Sequence, residues 1–220
     1  MIIVIGGIKG GSGKTTVATN IAVMRSNDGK DVLLVDADDQ ETSTDFTTLR
    51  NEVLEDGAGY TNIKLNGASV RTEILRLKEK YEDIVIDTGG RDTTSQRASL
   101  TVADVLLVPF IPRSFDVWTI EKVSELVTEM KTANPNLKAY MFINRADPRG
   151  QDNNETAEVL KETEDMVFID TPLGSRKAFS NASANGLGVT ELKPQDNKAN
   201  DEIDSLYRYV FDTKSISKTY

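Results

Sequence analysis

Short runs of apolar, mostly β-branched residues recur along the chain and alternate with longer amphipathic stretches. Continuous runs of this kind are typical of parallel strands that are covered on both faces. They predict strands at IIVIGG near residue 2, DVLLVDAD near 31, DIVIDTGG near 83, DVLLVPF near 104, AYMFINR near 139 and MVFID near 166. The intervening stretches predict helices at residues 14–27, 67–81, 93–102, 116–133, 152–163 and 198–211. The alternation predicts a doubly wound, mostly parallel α/β sheet with helices on both faces.

Polar or conformationally special residues follow most of the predicted strands. Any one such ending has a plain structural explanation, because Gly, Pro, Asn and Asp favour turns. The carboxyl ends of parallel strands share one edge of the sheet, where α/β proteins bind ligands, so the coincidence favours a binding site there. The endings are Gly6 and Gly7, Asp36 to Gln40, Asp87 to Gly90, Pro109 to Arg113, and Asn144 to Asp147.

Composition narrows the chemistry. The chain has 220 residues with neither Cys nor His, which excludes thiolate and imidazole metal sites, Cys nucleophiles and His bases. Its length suits one domain over residues 1–220, since the polar stretch at 147–154 is too short to separate two. The net charge of -9 argues against a uniformly basic surface but leaves a local basic patch open. No apolar run is long enough for a signal peptide or a membrane span, so we expect a cytoplasmic protein.

The stretch KGGSGKTT at residues 9–16 follows the first predicted strand and opens the first helix, which is the context of a P-loop. Its glycines permit a tight turn that points successive N–H groups at an anion at the helix N-terminus. We expect Lys14 to reach the β- and γ-phosphates and the Thr15 hydroxyl to bind Mg²⁺. The predicted phosphate contacts are Gly10, Gly11, Ser12, Gly13, Lys14, Thr15 and Thr16.

One departure from the ordinary P-loop pattern is informative. Ile8 occupies the position of the usual first glycine, and Lys9 precedes two glycines instead. In this deviant Walker A form the sequence resembles the ParA/MinD superfamily of ATPases. The resemblance implies ATP and Mg²⁺ as cofactors. It also implies a homodimer in the ATP state, with two nucleotides between the subunits and Lys9 acting on the partner's nucleotide.

Two acidic motifs fit the same family. VDADDQ at residues 35–40 resembles its Asp-x-Asp-Pro-Gln motif, with Asp39 in place of the proline. By this resemblance Asp36 lies near the magnesium ion and Asp38 orients the attacking water. DIVIDTGG resembles a Walker B strand that delivers Asp87 to the magnesium shell. The catalytic residues expected from the resemblance are therefore Lys9, Lys14 and Asp38, and the metal ligands are Thr15, Asp36 and Asp87.

The family places base contacts after the fifth predicted strand, where this chain has Asn144 and Arg145. The string NRAD is also similar to the guanine-binding motif Asn-Lys-x-Asp, which leaves GTP open as a minority alternative to ATP. LKPQDNKANDEI at residues 192–203 resembles the family's late loop and helix beside the adenine, and it contributes Pro194 to the expected nucleotide contacts.

The chain is similar to the short ParA type, which lacks an N-terminal helix-turn-helix. That resemblance implies non-specific DNA binding as an ATP dimer, association with the nucleoid, and a ParB-like or other adaptor protein that stimulates hydrolysis and release. The cargo is then a plasmid, a chromosome or a protein assembly such as a carboxysome. Basic residues expected to contact DNA phosphates are Arg176, Lys177, Arg208, Lys214 and Lys218.

Other functions compete with this interpretation. A membrane-cycling MinD-like ATPase needs a terminal amphipathic helix, for which the tail FDTKSISKTY is too polar and short. An iron–sulfur carrier needs cysteines. A metabolic P-loop enzyme, either a small-molecule kinase or an ATP-dependent ligase, suits the acidic charge but leaves Lys9 without a role.

Overall fold

A computed structural model describes residues 1–112, 117–147 and 150–212 of the chain. In chain order the strands are β1 (Ile2–Ile5), β2 (Val32–Ala37), β3 (Thr61–Lys64), β4 (Asp83–Thr88), β5 (Val105–Phe110), β6 (Lys138–Ala146), β7 (Val167–Phe168) and β8 (Leu173–Gly174). The helices are α1 (Lys14–Asn27), α2 (Thr42–Val53), α3 (Ser69–Leu77), α4 (Thr94–Leu100), α5 (Val117–Ala133), α6 (Asp152–Lys161), α7 (Lys177–Ser183) and α8 (Asn197–Phe211). A short 3-10 helix spans Val189–Glu191.

These strands form one parallel sheet in the order β3-β2-β4-β1-β5-β6-β7, and β8 pairs with the far end of β6. Helical layers cover both faces. The side chains of β1 divide between them, since Val4 packs into one hydrophobic core and Ile3 and Ile5 into the other. Burial on both faces explains the uninterrupted apolar runs in the sequence and confirms the predicted doubly wound α/β fold. None of the helices in the described ranges has both the length and the apolar character needed to cross a bilayer.

Every predicted strand and helix has a counterpart, with small shifts at the ends. The structure adds elements that the sequence analysis did not predict, namely α2, β3, α7 and β8. Their sequences explain the omission. TSTDFTTLRNEV in α2 is rich in Thr, which favours strands and turns over helices, and β3 is half exposed with only one apolar residue, Ile63. Packing against the rest of the fold, rather than local preference, determines these segments.

The strand order brings the polar strand endings together. β1 lies between β4 and β5, with Ile5 in register with Asp87, and β2 lies on the other side of β4 with Asp36 in register with Asp87. The loop after β1 is therefore flanked by the ends of its neighbours at one edge of the sheet. This is the position at which doubly wound sheets bind ligands.

Candidate functional site

The loop between β1 and α1 has the backbone geometry of an anion cradle. Gly13 is the N-cap of α1 with φ of 90°, and Gly11 has φ of 73°, both in the left-handed region that favours glycine. A Cβ at Gly13 would also lie 2.3 Å from Nδ2 of Asn144. Glycine is required at position 13 for both reasons, and the N–H groups at the start of α1 remain directed into the loop.

Lys14 lies in the first turn of α1 with only 6% of its surface exposed. Its Nζ donates to the carbonyl oxygen of Lys9 at 3.0 Å, so the ammonium group links the two ends of the P-loop. Burial lowers the pKa of Lys14, and the nearby carboxylates of Asp87 and Asp38 oppose that shift. The position suits an amine that balances phosphate charge. The side chain of Lys9 is half-buried on the same loop.

Asp87, at the end of β4, is completely buried. Among the described residues, neither of its carboxylate oxygens has a hydrogen bond of ordinary geometry, although the Thr15 hydroxyl lies close by. Burial raises the pKa of Asp87 to about 7, and the charge of Asp36 adds to the increase, while Thr15 and Lys14 oppose it. A buried carboxylate without donors, beside a Thr hydroxyl, fits a site for a hard divalent cation such as Mg²⁺.

Asp36, by contrast, already has its hydrogen bonds. Its Oδ2 accepts from the backbone N and the hydroxyl of Thr44 at 2.9 and 2.8 Å, and its Oδ1 accepts from the N of Asp38 at 3.2 Å. Asp36 therefore fixes the start of α2 and the loop that carries Asp38. Its predicted position near a magnesium ion stays a prediction.

Asp38 faces the end of β4 across the cleft. A Cβ added to Gly89 would lie 3.0 Å from Oδ1 of Asp38, so this carboxylate rests against the glycine backbone. The next glycine is still more restricted, since a Cβ at Gly90 would lie 2.5 Å from the Cα of Gly10. The segment after β4 thus touches both the P-loop and the loop after β2. A change in the backbone of this segment must therefore shift both the P-loop and the loop after β2.

These loops enclose a cleft of about 710 Å³ at the carboxyl edge of the sheet. Its volume and its polar lining suit a nucleotide phosphate chain. Two guanidinium groups, those of Arg91 and Arg145, lie among the lining residues, and the sequence analysis did not single out Arg91. The lining residues are Gly10, Gly11, Gly13, Lys14, Thr15, Thr16, Asp38, Asp39, Gln40, Thr42, Gly89, Gly90, Arg91, Thr93 and Arg145.

A second cavity of about 450 Å³ shares Gly13, Thr16 and Arg145 with this cleft. Its other lining residues come from the end of β6, from β8, α7 and α8, and they are Val17, Asn144, Leu173, Gly174, Ser175, Arg176, Lys177, Phe179, Ser180 and Ile203. Its mixed apolar and polar lining suits a nucleobase and ribose attached to phosphates in the first cleft.

Asn144 and Arg145 lie beside the P-loop, as their predicted role requires. However, the Asn144 amide is used within the protein: its Nδ2 donates to the carbonyl oxygen of Ser12 at 2.7 Å, and its Oδ1 accepts from the N of Arg145 at 2.9 Å. Arg145 has φ of 55°, an uncommon value for a residue other than glycine, and such strain is often found at binding sites. The geometry makes Asn144 a support of the P-loop. Direct contact of either residue with a base stays a prediction.

The structure disperses the remaining predicted site residues. Pro194 is exposed between the 3-10 helix and α8 and lines neither cavity. Arg176 and Lys177 line the second cavity, and Arg208 is exposed and forms an ion pair with Asp204 on α8. Lys214 and Lys218 lie outside the described residues. The DNA-contact role of these basic residues stays a prediction.

Two buried side chains that connect the site were missed by the sequence analysis. Gln96 of α4 is fully buried, and its Oε1 accepts from the N of Gly7 at 2.9 Å and from the Thr88 hydroxyl at 3.0 Å. Arg50 of α2 is 3% exposed and donates to the Glu191 carboxylate at 2.7 and 2.8 Å. Both contacts join segments far apart in sequence, which local patterns do not reveal.

Comparisons with known proteins agree with this geometry. The family model for the CobQ/CobB/MinD/ParA nucleotide binding domain matches residues 3–189. Maintenance of carboxysome distribution protein A from Halothiobacillus neapolitanus is 25% identical over 205 residues, which cover 92% of this chain and 93% of that protein.

Solved structures share the fold. The ATP complex of a variant of McdA from Cyanothece superposes with a TM-score of 0.77 at 18% identity, over 94% of this chain and 95% of that one. A plasmid partition protein from Borrelia burgdorferi bound to AMPPNP gives a TM-score of 0.74 at 19% identity, over 95% and 98% of the two chains.

Proposed function

Because this chain belongs to the CobQ/CobB/MinD/ParA family of nucleotide-binding domains, whose model matches residues 3–189, we propose that it is a ParA-type ATPase that positions a cargo. The proposal rests chiefly on one arrangement. Lys14 of the P-loop and Asp38 line one cleft of about 710 Å³, and the buried carboxylate of Asp87 lies close to Lys14. A triphosphate in that cleft would lie between a helix N-terminus and a buried carboxylate suited to a cation.

Each residue of the cleft has a distinct part in this proposal. Lys14 and the loop N–H groups neutralise and orient the phosphates. Thr15 and Asp87 would hold Mg²⁺, and a bound Mg²⁺ would supply positive charge to the phosphate oxygens. Asp38 accepts a hydrogen bond from the attacking water and aligns it with the terminal phosphate. Lys9 acts on the nucleotide of a second copy, so the ATP state is a homodimer.

The contacts around Gly89 and Gly90 supply a route from nucleotide to surface. Gly90 packs against Gly10 of the P-loop, and Gly89 packs against Asp38. Loss of the terminal phosphate would therefore change both the switch after β4 and the loop after β2. We propose that this change opens the dimer, releases non-specific DNA and follows stimulation by an adaptor protein of the ParB type, so that the protein cycles on the nucleoid.

The cargo in this proposal is a protein assembly of the carboxysome kind or a plasmid. The first choice is supported by the similarity to the carboxysome distribution protein, which spans nearly the whole of both chains. The second is supported by the shared fold with the plasmid partition protein.

Binding to unrelated duplex DNA with ATP, ADP or GTP at two salt concentrations tests the proposal. We expect tight binding with ATP alone, and weaker binding at higher salt because each phosphate contact releases counterions. DNA binding of equal strength with every nucleotide, or no DNA binding with ATP, would reject the DNA-based cycle.

A second experiment addresses the competing function. The family description also names CobQ and CobB, and a small-molecule kinase or ATP-dependent ligase would use the same phosphate cleft. Such an enzyme would need neither DNA nor a change of oligomeric state when ATP binds. Light scattering with and without ATP therefore separates the two proposals.

A further inference from the structure

Gln96 of α4 forms a junction at the base of the P-loop. Its side chain is fully buried and lines neither the phosphate cleft nor the second cavity. Its Oε1 accepts from the N of Gly7 at 2.9 Å and from the Thr88 hydroxyl at 3.0 Å. Gly7 lies two residues before Lys9, and Thr88 lies directly before Gly89. One oxygen atom therefore links the start of the P-loop to the start of the switch after β4.

The backbone leaves the sheet at Gly7. The N of Gly6 still donates to the carbonyl oxygen of Leu107 in β5, at 3.1 Å. Gly7 has φ of 142°, a positive value that favours glycine, and its N–H is directed at Gln96 instead of a neighbouring strand. Because a buried N–H group needs an acceptor, the Gln96 side chain fixes the point at which the P-loop begins.

The amide of Gln96 is only half satisfied. The Gly7 N–H can only donate, so it requires the amide oxygen rather than the amide nitrogen beside it. Nε2 is consequently directed elsewhere, where it is buried and has no hydrogen-bond partner within the described part of the chain. A buried donor without an acceptor is unfavourable, so this arrangement points to a role other than stability.

Thr88 gives the junction two arrangements. Its hydroxyl lies 3.1 Å from the carbonyl oxygen of Ile5 and 3.0 Å from Oε1 of Gln96, but it has one proton to donate. The hydroxyl can change its acceptor by rotating about its own C–O bond. A small movement at the end of β4 is therefore enough to favour one acceptor over the other.

We propose that Gln96 is a positioning residue that transmits a change in the switch after β4 to the P-loop. This inference rests on the proposed function, since the change that it transmits is the loss of the terminal phosphate. A terminal phosphate that holds Gly89 and Gly90 in place favours the arrangement described above, in which Gln96 accepts from both Thr88 and Gly7.

Release of the phosphate favours the second arrangement. The Thr88 hydroxyl then donates to Ile5 and presents its lone pairs to Gln96. Rotation of the Gln96 amide lets Nε2 donate to the Thr88 oxygen, and the N–H of Gly7 loses its acceptor. Each arrangement leaves one buried group of the junction without a partner, so the two are similar in free energy and the nucleotide can select between them.

A double-mutant cycle tests the junction. Gln96→Met and Thr88→Val remove its hydrogen bonds with little change of size, and they are made singly and together. Calorimetry gives the affinity for ATP with Mg²⁺, and phosphate release gives the turnover at saturating ATP. We expect each single variant to bind ATP within about threefold of the wild type and to hydrolyse it about fivefold to about fiftyfold more slowly. The double variant should be no slower than the slower single variant, because both changes break one linkage.

Asn134→Ala is the matched control. The Nδ2 of Asn134 donates to the carbonyl oxygens of Leu100 and Ala103 at 2.9 and 2.7 Å, so it anchors the other end of α4. Its loss should lower stability while turnover stays normal. Thr88→Ser keeps the hydroxyl and should recover most of the turnover that Thr88→Val loses. A slow Asn134→Ala variant, or a Thr88→Ser variant as slow as Thr88→Val, would make Gln96 a purely structural residue.

Hydrogen exchange of the Gly7 amide, followed by NMR, tests the junction without turnover. We expect slower exchange with AMPPNP, a non-hydrolysable ATP analogue, than with ADP in the wild type. Gln96→Met should exchange equally fast with both nucleotides. Equal exchange with both nucleotides in the wild type overturns the proposal, and this result alone decides if the wild type hydrolyses no ATP.

The outcomes separate this inference from the proposed function. Parallel loss of ATP affinity and turnover in Gln96→Met would make Gln96 a support of the P-loop and overturn the transmitting role. If ATP promotes a dimer and DNA binding while Gln96→Met hydrolyses ATP as fast as the wild type, the positioning cycle stands and the junction fails. If the junction variants behave as expected while no nucleotide promotes a dimer or DNA binding, the junction stands and the positioning cycle fails.

Discussion

Gly90 and Gly10 are packed so closely that a Cβ at Gly90 would fall 2.5 Å from the Cα of Gly10. Backbone atoms cannot yield as a flexible side chain does, so Gly90→Ala must displace the P-loop or the switch after β4. We expect at least a tenfold loss of ATP affinity or turnover, measured by nucleotide titration and phosphate release. Gly29→Ala is the control, because its φ of 75° strains alanine far from the cleft. It should cost about 1 kcal/mol of stability without changing ATP affinity. Normal ATP binding and turnover by Gly90→Ala would show that the contact between Gly90 and Gly10 does not affect the nucleotide site.

Asp38→Ala should trap the ATP state. Because Asp38 is the carboxylate proposed to align the attacking water, we expect its loss to lower hydrolysis about 100-fold or more, as is typical when a positioned acid–base group is removed. Size-exclusion chromatography with light scattering should then show a dimer that persists with ATP and Mg²⁺. Asp45→Ala, an exposed change in the first turn of α2, serves as the control and should turn over normally. An Asp38→Ala variant that remains monomeric at saturating ATP would contradict the sandwich dimer.

Lys9→Ala should separate binding from turnover. The P-loop backbone and Lys14 remain, so we expect a monomer that binds a fluorescent ATP analogue within about threefold of the wild type. Dimerisation and hydrolysis should be reduced at least about tenfold, because the partner's nucleotide loses a cation. Lys30→Ala, which removes an exposed pair with Glu82, is the matched control. Unchanged turnover in Lys9→Ala would contradict the proposal that Lys9 acts on the partner's nucleotide.

Asp87→Asn should stabilise the nucleotide-free protein, and the gain should grow with pH. The pKa of Asp87 is about 7 in the fold against an ordinary 3.8. Ionising this buried group therefore costs nothing at pH values below about 4, increasingly more up to pH 7, and its full penalty above that. The amide carries no charge, so the melting temperature of the variant should exceed that of the wild type by more at pH 8 than at pH 5. Each kcal/mol corresponds to about 2–4 °C in a chain of this size.

Asp165→Asn supplies the comparison for that measurement. Its pKa is lowered, chiefly by a hydrogen bond from Ser124, so its ionised form is the favoured one and its removal should give no gain at pH 8. The same Asp87→Asn variant should lose Mg²⁺-dependent hydrolysis. Equal melting temperatures of wild type and Asp87→Asn at pH 5 and pH 8 would contradict the burial penalty.

Local sequence was sufficient for six of the eight strands in the described part of the chain and for the P-loop. β-branched runs such as IIVI determine buried strands by themselves, and the glycines and lysines of residues 9–16 lie in one continuous segment. The α2 helix shows the limit, since its Thr-rich sequence is helical only because Phe46 and Arg50 are buried against the rest of the fold. The partners of Asp36 were likewise hidden, because Thr44 reaches it only after α2 has formed.

Contacts between residues that are distant in sequence could not be predicted from local sequence patterns. Arg176 precedes α7 and Glu202 lies on α8. The local sequence around an arginine is the same whether its side chain is exposed and free to contact DNA or is paired with a distant carboxylate. Gln96 is similar, since a polar residue in a seven-residue helix gives no sign that it is fully buried against Gly7. Three-dimensional contact assigns these residues, and the sequence alone supplies only their charge and polarity.

The edges of the sheet affect how readily copies of the protein associate at high local concentration. Within the described residues, one edge is β3, four residues long with exposed Thr61 and Lys64, and the other ends in β7 and β8 of two residues each. Edges as short as these offer little backbone for a strand from a neighbouring molecule. Many copies concentrated on one surface would therefore resist joining edge to edge into β-rich aggregates, and reversible contact is left to the loops at the carboxyl end of the sheet.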